Sequence, residues 1–112
     1  MSEVVQPVLK QRTKLYALRI IRLFSSLEKC SVAQVLGRQL LRSGTSVGVH
    51  YREASRSRSI AEFVSKMEGG FQELEETGYW LELLIEGNVV SQKRLAPLID
   101  ETHQLLAFLW PR

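Results

Sequence analysis

Between Ser59 and Asn88 the chain reads SIAEFVSKMEGGFQELEETGYWLELLIEGN. Ser59-Ile60-Ala61-Glu62 has the form of a capping box, which satisfies backbone N–H groups that the start of a helix leaves without partners. Phe63, Val64, Met67, Phe71, Leu74, Trp80, Leu81, Leu84 and Ile85 then recur at helical spacing. Gly87-Asn88 supplies the residue types that stop a helix. At ~1.5 Å per residue such a helix is ~40 Å long. Nowhere does the chain alternate with period two for long enough to form a strand.

The same reading extends outward. Upstream, the polar run Ser55-Arg56-Ser57-Arg58 separates this helix from one carrying Val32, Val35, Leu36, Leu40, Val47 and Tyr51. That helix opens on a second capping-box pattern, Ser31-Val32-Ala33-Gln34. Before it, Leu15, Leu18, Ile21 and Phe24 recur every three residues beside a neighbouring stripe of Tyr16, Ile20, Leu23 and Leu27. This predicts a first helix from about Pro7 to Glu28, with Pro7 acceptable in its first turn. Downstream, Leu98, Ile99, Leu105, Leu106 and Leu109 predict a fourth helix, with Pro97 arguing for a loose turn over Ser91–Ala96. Short connections between long helices make neighbours antiparallel, so the expected fold is an all-α, up-and-down antiparallel four-helix bundle in one domain, residues 7–109. A hairpin about Arg56–Arg58 sets Arg42 near Glu73 and Gln39 near Glu76.

Composition excludes several classes. With 45% hydrophobic and 24% charged residues, the 112-residue chain is neither disordered nor collagen-like. No apolar run approaches the ~20 residues of a membrane span, and Met1-Ser2-Glu3-Val4-Val5 lacks the features of a signal peptide. Cys30 is the lone cysteine, which points to a reducing compartment and a cytoplasmic location. The net charge of +3 is unevenly placed: residues 1–30 and 31–66 each carry +4, and residues 67–112 carry −5. Such a split suits a polyanion-binding face, ion pairing within the fold, or contacts between subunits.

Motifs for catalysis are absent: no phosphate loop, nucleophile elbow, HExxH pair or second cysteine for a zinc site. His103 follows Asp100 by three residues and His50 precedes Glu53, too little for a di-iron bundle, so neither a metal nor another cofactor is expected. Cys30 reads as an inert residue beside a helix cap. No catalytic residue is assigned, and the chain reads as a non-enzyme. The arginines are more informative. Arg38 and Arg42 share a helix face, while Arg52, Arg56 and Arg58 crowd the following turn among Ser55, Ser57 and Ser59. Arginine forks, serine hydroxyls and helix-start N–H groups all suit phosphate oxygens, which makes RNA or DNA the candidate ligand. Lys10, Arg12, Lys14, Arg19 and Arg22 add charge from the first helix, and Tyr51 could stack on a base. The alternative is a structural or protein-interaction scaffold whose arginines pair with the Glu-rich third helix.

Tyr79-Trp80-Leu81-Glu82-Leu83-Leu84-Ile85 is apolar around most of its circumference, and Leu15–Phe24 is nearly so. A four-helix bundle covers about one stripe per helix, so the surplus implies a subunit interface, with Tyr16 and Ile20 on the first helix and Tyr79 and Leu83 on the third as its expected residues. Gly44 and Gly48 on the second helix, and Gly69, Gly70 and Gly78 on the third, each cost ~1 kcal/mol relative to alanine and mark close helix packing.

Gln39-Leu40-Leu41-Arg42-Ser43-Gly44-Thr45-Ser46-Val47-Gly48 followed by Tyr51-Arg52-Glu53-Ala54, and Glu73-Leu74-Glu75-Glu76-Thr77 leading into Tyr79-Trp80-Leu81-Glu82-Leu83-Leu84, carry a family resemblance. Over about residues 10–109 the chain resembles the bacterial four-helix-bundle proteins named after intervening sequences of 23S ribosomal RNA genes. The resemblance implies a bundle assembling into a ring, a homopentamer with a central channel. It also implies kinship with the accessory variability proteins of diversity-generating retroelements, which share the fold and bind a reverse transcriptase and nucleic acid. No catalytic motif comes with the family.

Overall fold

A computed structural model describes residues 5–109, with side chains from residue 7. Met1–Val4, read above for a leader, and Arg112, counted in the charge of the last segment, lie outside them. Helices α1 (Val5–Ser26), α2 (Ser31–Ala54), α3 (Ile60–Glu86) and α4 (Gln92–Leu109) follow in chain order, with no strand among the described residues. None of these helices is long and apolar enough to cross a membrane.

The signals at the two ends of α3 act as read. Ser59 Oγ accepts the Glu62 backbone N–H at 3.1 Å. At the other end, the Val89 N–H reaches the Leu84 carbonyl at 2.9 Å and the Asn88 N–H reaches that of Ile85 at 3.0 Å. Asn88, at φ 60°, takes the left-handed conformation that this closure needs. Two other ends differ from expectation. The N-cap of α2 is Cys30, which makes no side-chain cap bond, and Ser31 is already helical. Gln34 instead sends its amide back to the Glu28 carbonyl at 2.8 Å, closing the short α1–α2 connection. In α4 there is no loose turn: Ser91 Oγ accepts the Arg94 N–H at 3.2 Å and the helix runs through Pro97. Proline removes the N–H that would have reached Lys93, and both residues are exposed, so water can take the remaining carbonyl.

Successive helices pack side by side, and α4 returns to α1 through side-chain bonds, giving a bundle 45 Å long and 21 Å across. The α2–α3 register lies about one turn further along α3 than a symmetric hairpin places it. Arg42 reaches Glu73 as expected, but it also takes Glu76, which the symmetric hairpin had set opposite Gln39. On α1 the inner stripe is Tyr16, Ile20 and Leu23, continued by Leu27 just past the helix end, all buried, while Leu15, Leu18 and Ile21 face outward.

Each helix contributes one small hydroxyl to the interior: Thr13, Ser43, Thr77 and Thr102. Thr77 bonds Ser43 at 2.8 Å, and Thr102 meets the Tyr16 phenol at 2.7 Å. Burial pushes the Tyr16 phenol well above its ordinary range, so it stays protonated. Because Thr102 already donates to the Leu98 carbonyl, Tyr16 is the donor in the bond between them. Removal of either partner therefore has unequal costs. Tyr16→Phe should destabilise by ~1 kcal/mol, whereas Thr102→Val strands a buried phenol O–H and should cost ~2–3 kcal/mol. Urea unfolding of the two variants checks this order.

Candidate nucleic-acid interface

Arg38 and Arg52 project from the exposed side of α2, and Arg56 and Arg58 stand in the α2–α3 turn. The turn is held by backbone bonds from Ser55, Arg56 and Ser57 to the Tyr51, Glu53 and Ala54 carbonyls at 3.0–3.1 Å. Beside it lies a surface depression of about 420 Å³, lined by Ser55, Ser57, Arg58, Ser59 and Phe63 among others. Among the described residues Arg38, Arg52, Arg56 and Arg58 have no carboxylate partner. They are four cations free to meet an anion.

Arg42 is different. Its guanidinium lies 3.2 Å from Glu73 and 3.0 Å from Glu76, which raises its pKa further and occupies the fork that a phosphate would use. Glu53, within the same stretch, is paired with Lys66 at 3.0 Å, and that ammonium holds its carboxyl below the usual range. Arg12 on α1 is likewise taken, bound to Glu101 at 2.6 Å and stacked over Phe108. The serines are partly committed as well. The Ser55 and Ser57 hydroxyls donate to the Arg52 and Glu53 carbonyls, leaving Ser59, which acts as an acceptor at its cap, with its own hydrogen available. Tyr51 is only 2% exposed and belongs to the core, so it offers no face to a base.

The expected interface residues divide. Tyr16 and Ile20 are 0% exposed within the single chain, which removes them from any contact between subunits. Tyr79 is 53% exposed and Leu83 half-buried on the outer side of α3. The apolar surface of α1 consists instead of Val8, Leu15, Leu18 and Ile21. On the other side of the bundle, a cleft of about 370 Å³ between α3 and α4 is lined by Ile85, Ile99, Glu82, Glu86 and His103 among others. Among the described residues no three His, Cys, Asp or Glu side chains gather closely enough to hold a metal ion.

Residues 8–110 match the family model described as 23S rRNA-intervening sequence protein. A crystal structure from Bacteroides thetaiotaomicron VPI-5482, described as a protein of unknown function from the S23 ribosomal protein family, superposes with a TM-score of 0.87 at 33% identity, covering 93% of each chain. No curated protein matches. The bundle, the Leu40–Ala54 phrase and the match over nearly the whole length agree: the chain belongs to the 23S rRNA-intervening sequence protein family.

Proposed function

We propose that this chain is a non-enzymatic, homopentameric bundle that binds RNA or DNA phosphates through the outer side of α2 and the α2–α3 turn. In this reading it serves as an accessory factor of a diversity-generating retroelement reverse transcriptase. The observation that carries it is the split among the arginines. Arg42 and Arg12 are neutralised by carboxylates, whereas Arg38, Arg52, Arg56 and Arg58 stand exposed with none among the described residues. Four contacts per chain are few for tight binding, and repetition of the patch around a ring multiplies them. Anisotropy of labelled RNA and DNA strands, titrated across salt, tests the reading. Affinity should fall with a log–log slope near −0.9 per duplex phosphate contact, and no binding at low salt overturns it.

The ring rests on outward apolar surface, the exposed Leu15, Leu18 and Ile21 on α1 with exposed Tyr79 and half-buried Leu83 on α3. Light scattering should give five times the 12.8 kDa chain mass. Leu18→Glu, at an outward position that the folded monomer does not need, should return it to one. The arginines already paired within the chain support a second reading, a protein-interaction scaffold, for which assembly persists without nucleic-acid binding.

A further inference from the structure

Three other arginines converge at the opposite end of the bundle. Arg19 and Arg22 on α1 and Arg94 in the first turn of α4 line one surface pocket of about 290 Å³, whose remaining lining is Leu23, Leu95 and Leu98. No carboxylate lines this pocket, and among the described residues none of the three arginines has an ion pair. Glu101, two turns further along α4, is already bound to Arg12. Arg94 is held in place: its guanidinium donates to Ser26 Oγ and its backbone N–H to Ser91 Oγ.

The arrangement is electrostatically incomplete. Arginines three apart on one helix repel each other, and the fold brings a third cation across from α4. An oxyanion relieves this repulsion, and planar guanidinium forks match the paired oxygens of a phosphoryl group better than they match a spherical ion. The three leucines, themselves buried, form an apolar floor that offers the guanidinium groups no acceptor of its own. We infer that the α1–α4 pocket is a phosphoryl-binding site, separate from the α2–α3 turn at the other end of the 45 Å bundle. It rests on none of the four arginines that the proposed function assigns to phosphate contacts, although Arg19 and Arg22 count among the first-helix charges noted in the sequence.

The test is a titration of the ¹⁵N-labelled full chain with inorganic phosphate, at ionic strength held constant with sodium chloride, following the arginine side-chain N–H resonances. Saturable shifts are expected at Arg19, Arg22 and Arg94. Arg22→Gln, at an exposed position with no ion pair to lose among the described residues, should weaken this transition about tenfold, while Arg56→Gln leaves it unchanged. Unsaturable shifts spread evenly over all arginines, or a transition indifferent to Arg22→Gln, overturn the site. A 5′-phosphorylated oligonucleotide and its 5′-hydroxyl counterpart distinguish the sources of the phosphoryl group. Tighter binding of the phosphorylated strand, lost in Arg22→Gln, assigns a terminal phosphate. Equal binding of both, weakened alike by Arg22→Gln, assigns the backbone diester. Failure of the turn arginines to bind nucleic acid leaves the inorganic phosphate result standing.

Discussion

Gly44→Leu should cost the bundle at least ~3 kcal/mol and lower its melting temperature by about 15 °C or more. A Cβ at Gly44 meets Ile20 Cγ1 at 2.8 Å and Cγ2 at 3.0 Å, and these branch directly from the Cβ of a side chain that is fully buried. Ile20 has few rotamers in a helix and no open space to move into, so α1 and α2 must separate. Even Gly44→Ala should destabilise, because the ~1 kcal/mol gained in helix propensity is smaller than the overpacking cost. Gly37 is the control. Its added Cβ meets Leu27 Cδ1 at 2.7 Å and Phe24 Cδ1 at 2.9 Å, atoms one bond further from their backbones than the Cγ atoms of Ile20; Leu27 is buried but lies just past the end of α1, and Phe24 is only partly buried. Gly37→Ala should therefore be near neutral. Thermal unfolding of the alanine pair separates the cases; equal effects at both positions would mean that the α1–α2 spacing is not set at Ile20.

This contrast shows what the sequence makes legible. Glycines at helical spacing on α2 announce a close approach, because their propensity cost needs a reason, but only the facing side chain decides which of them is indispensable. The same limit applies to α1. Two apolar stripes, one through Leu15, Leu18 and Ile21 and one through Tyr16, Ile20 and Leu23, are nearly equal in hydrophobicity, so composition does not rank them. The structure places the second inside because its heptad-like spacing of four and three residues follows a bundle seam, whereas steps of three drift around the helix. That spacing was present in the sequence and is the better guide. Pro97 misleads for a local reason: a proline is tolerated in a helix where the lost bond can be replaced, and here Lys93 and Pro97 are both exposed, within reach of water. The ion pairs divide in the same way. Arg42 with Glu73 follows from hairpin register, while Arg12 with Glu101 and the Arg94 pocket depend on how α4 closes against α1, which no local pattern encodes.

Arg56→Glu combined with Arg58→Glu should lower nucleic-acid affinity at least ~100-fold, from about tenfold or more for each lost charge-assisted contact. Both residues are exposed in the α2–α3 turn and have no ion pair among the described residues, so the fold itself should keep its stability. The milder Arg56→Gln, Arg58→Gln variant should make the salt slope shallower by about two per chain, one for each lost phosphate, across all sequences alike. Arg42→Gln supplies the comparison. It removes a cation of the adjoining helix α2, yet one held by Glu73 and Glu76, and should leave the slope unchanged. Its stability cost should also stay below ~1 kcal/mol, since the pairs are solvent-exposed. If the turn and Arg42 variants lose affinity equally, binding follows net charge and no phosphate is seated at the turn. If neither loses any, the arginines serve the assembly, and the scaffold reading takes their place. Only a loss confined to the turn identifies it as the phosphate-contacting surface, because Arg56 and Arg58 combine freedom from any ion pair among the described residues with a place beside the capped start of α3.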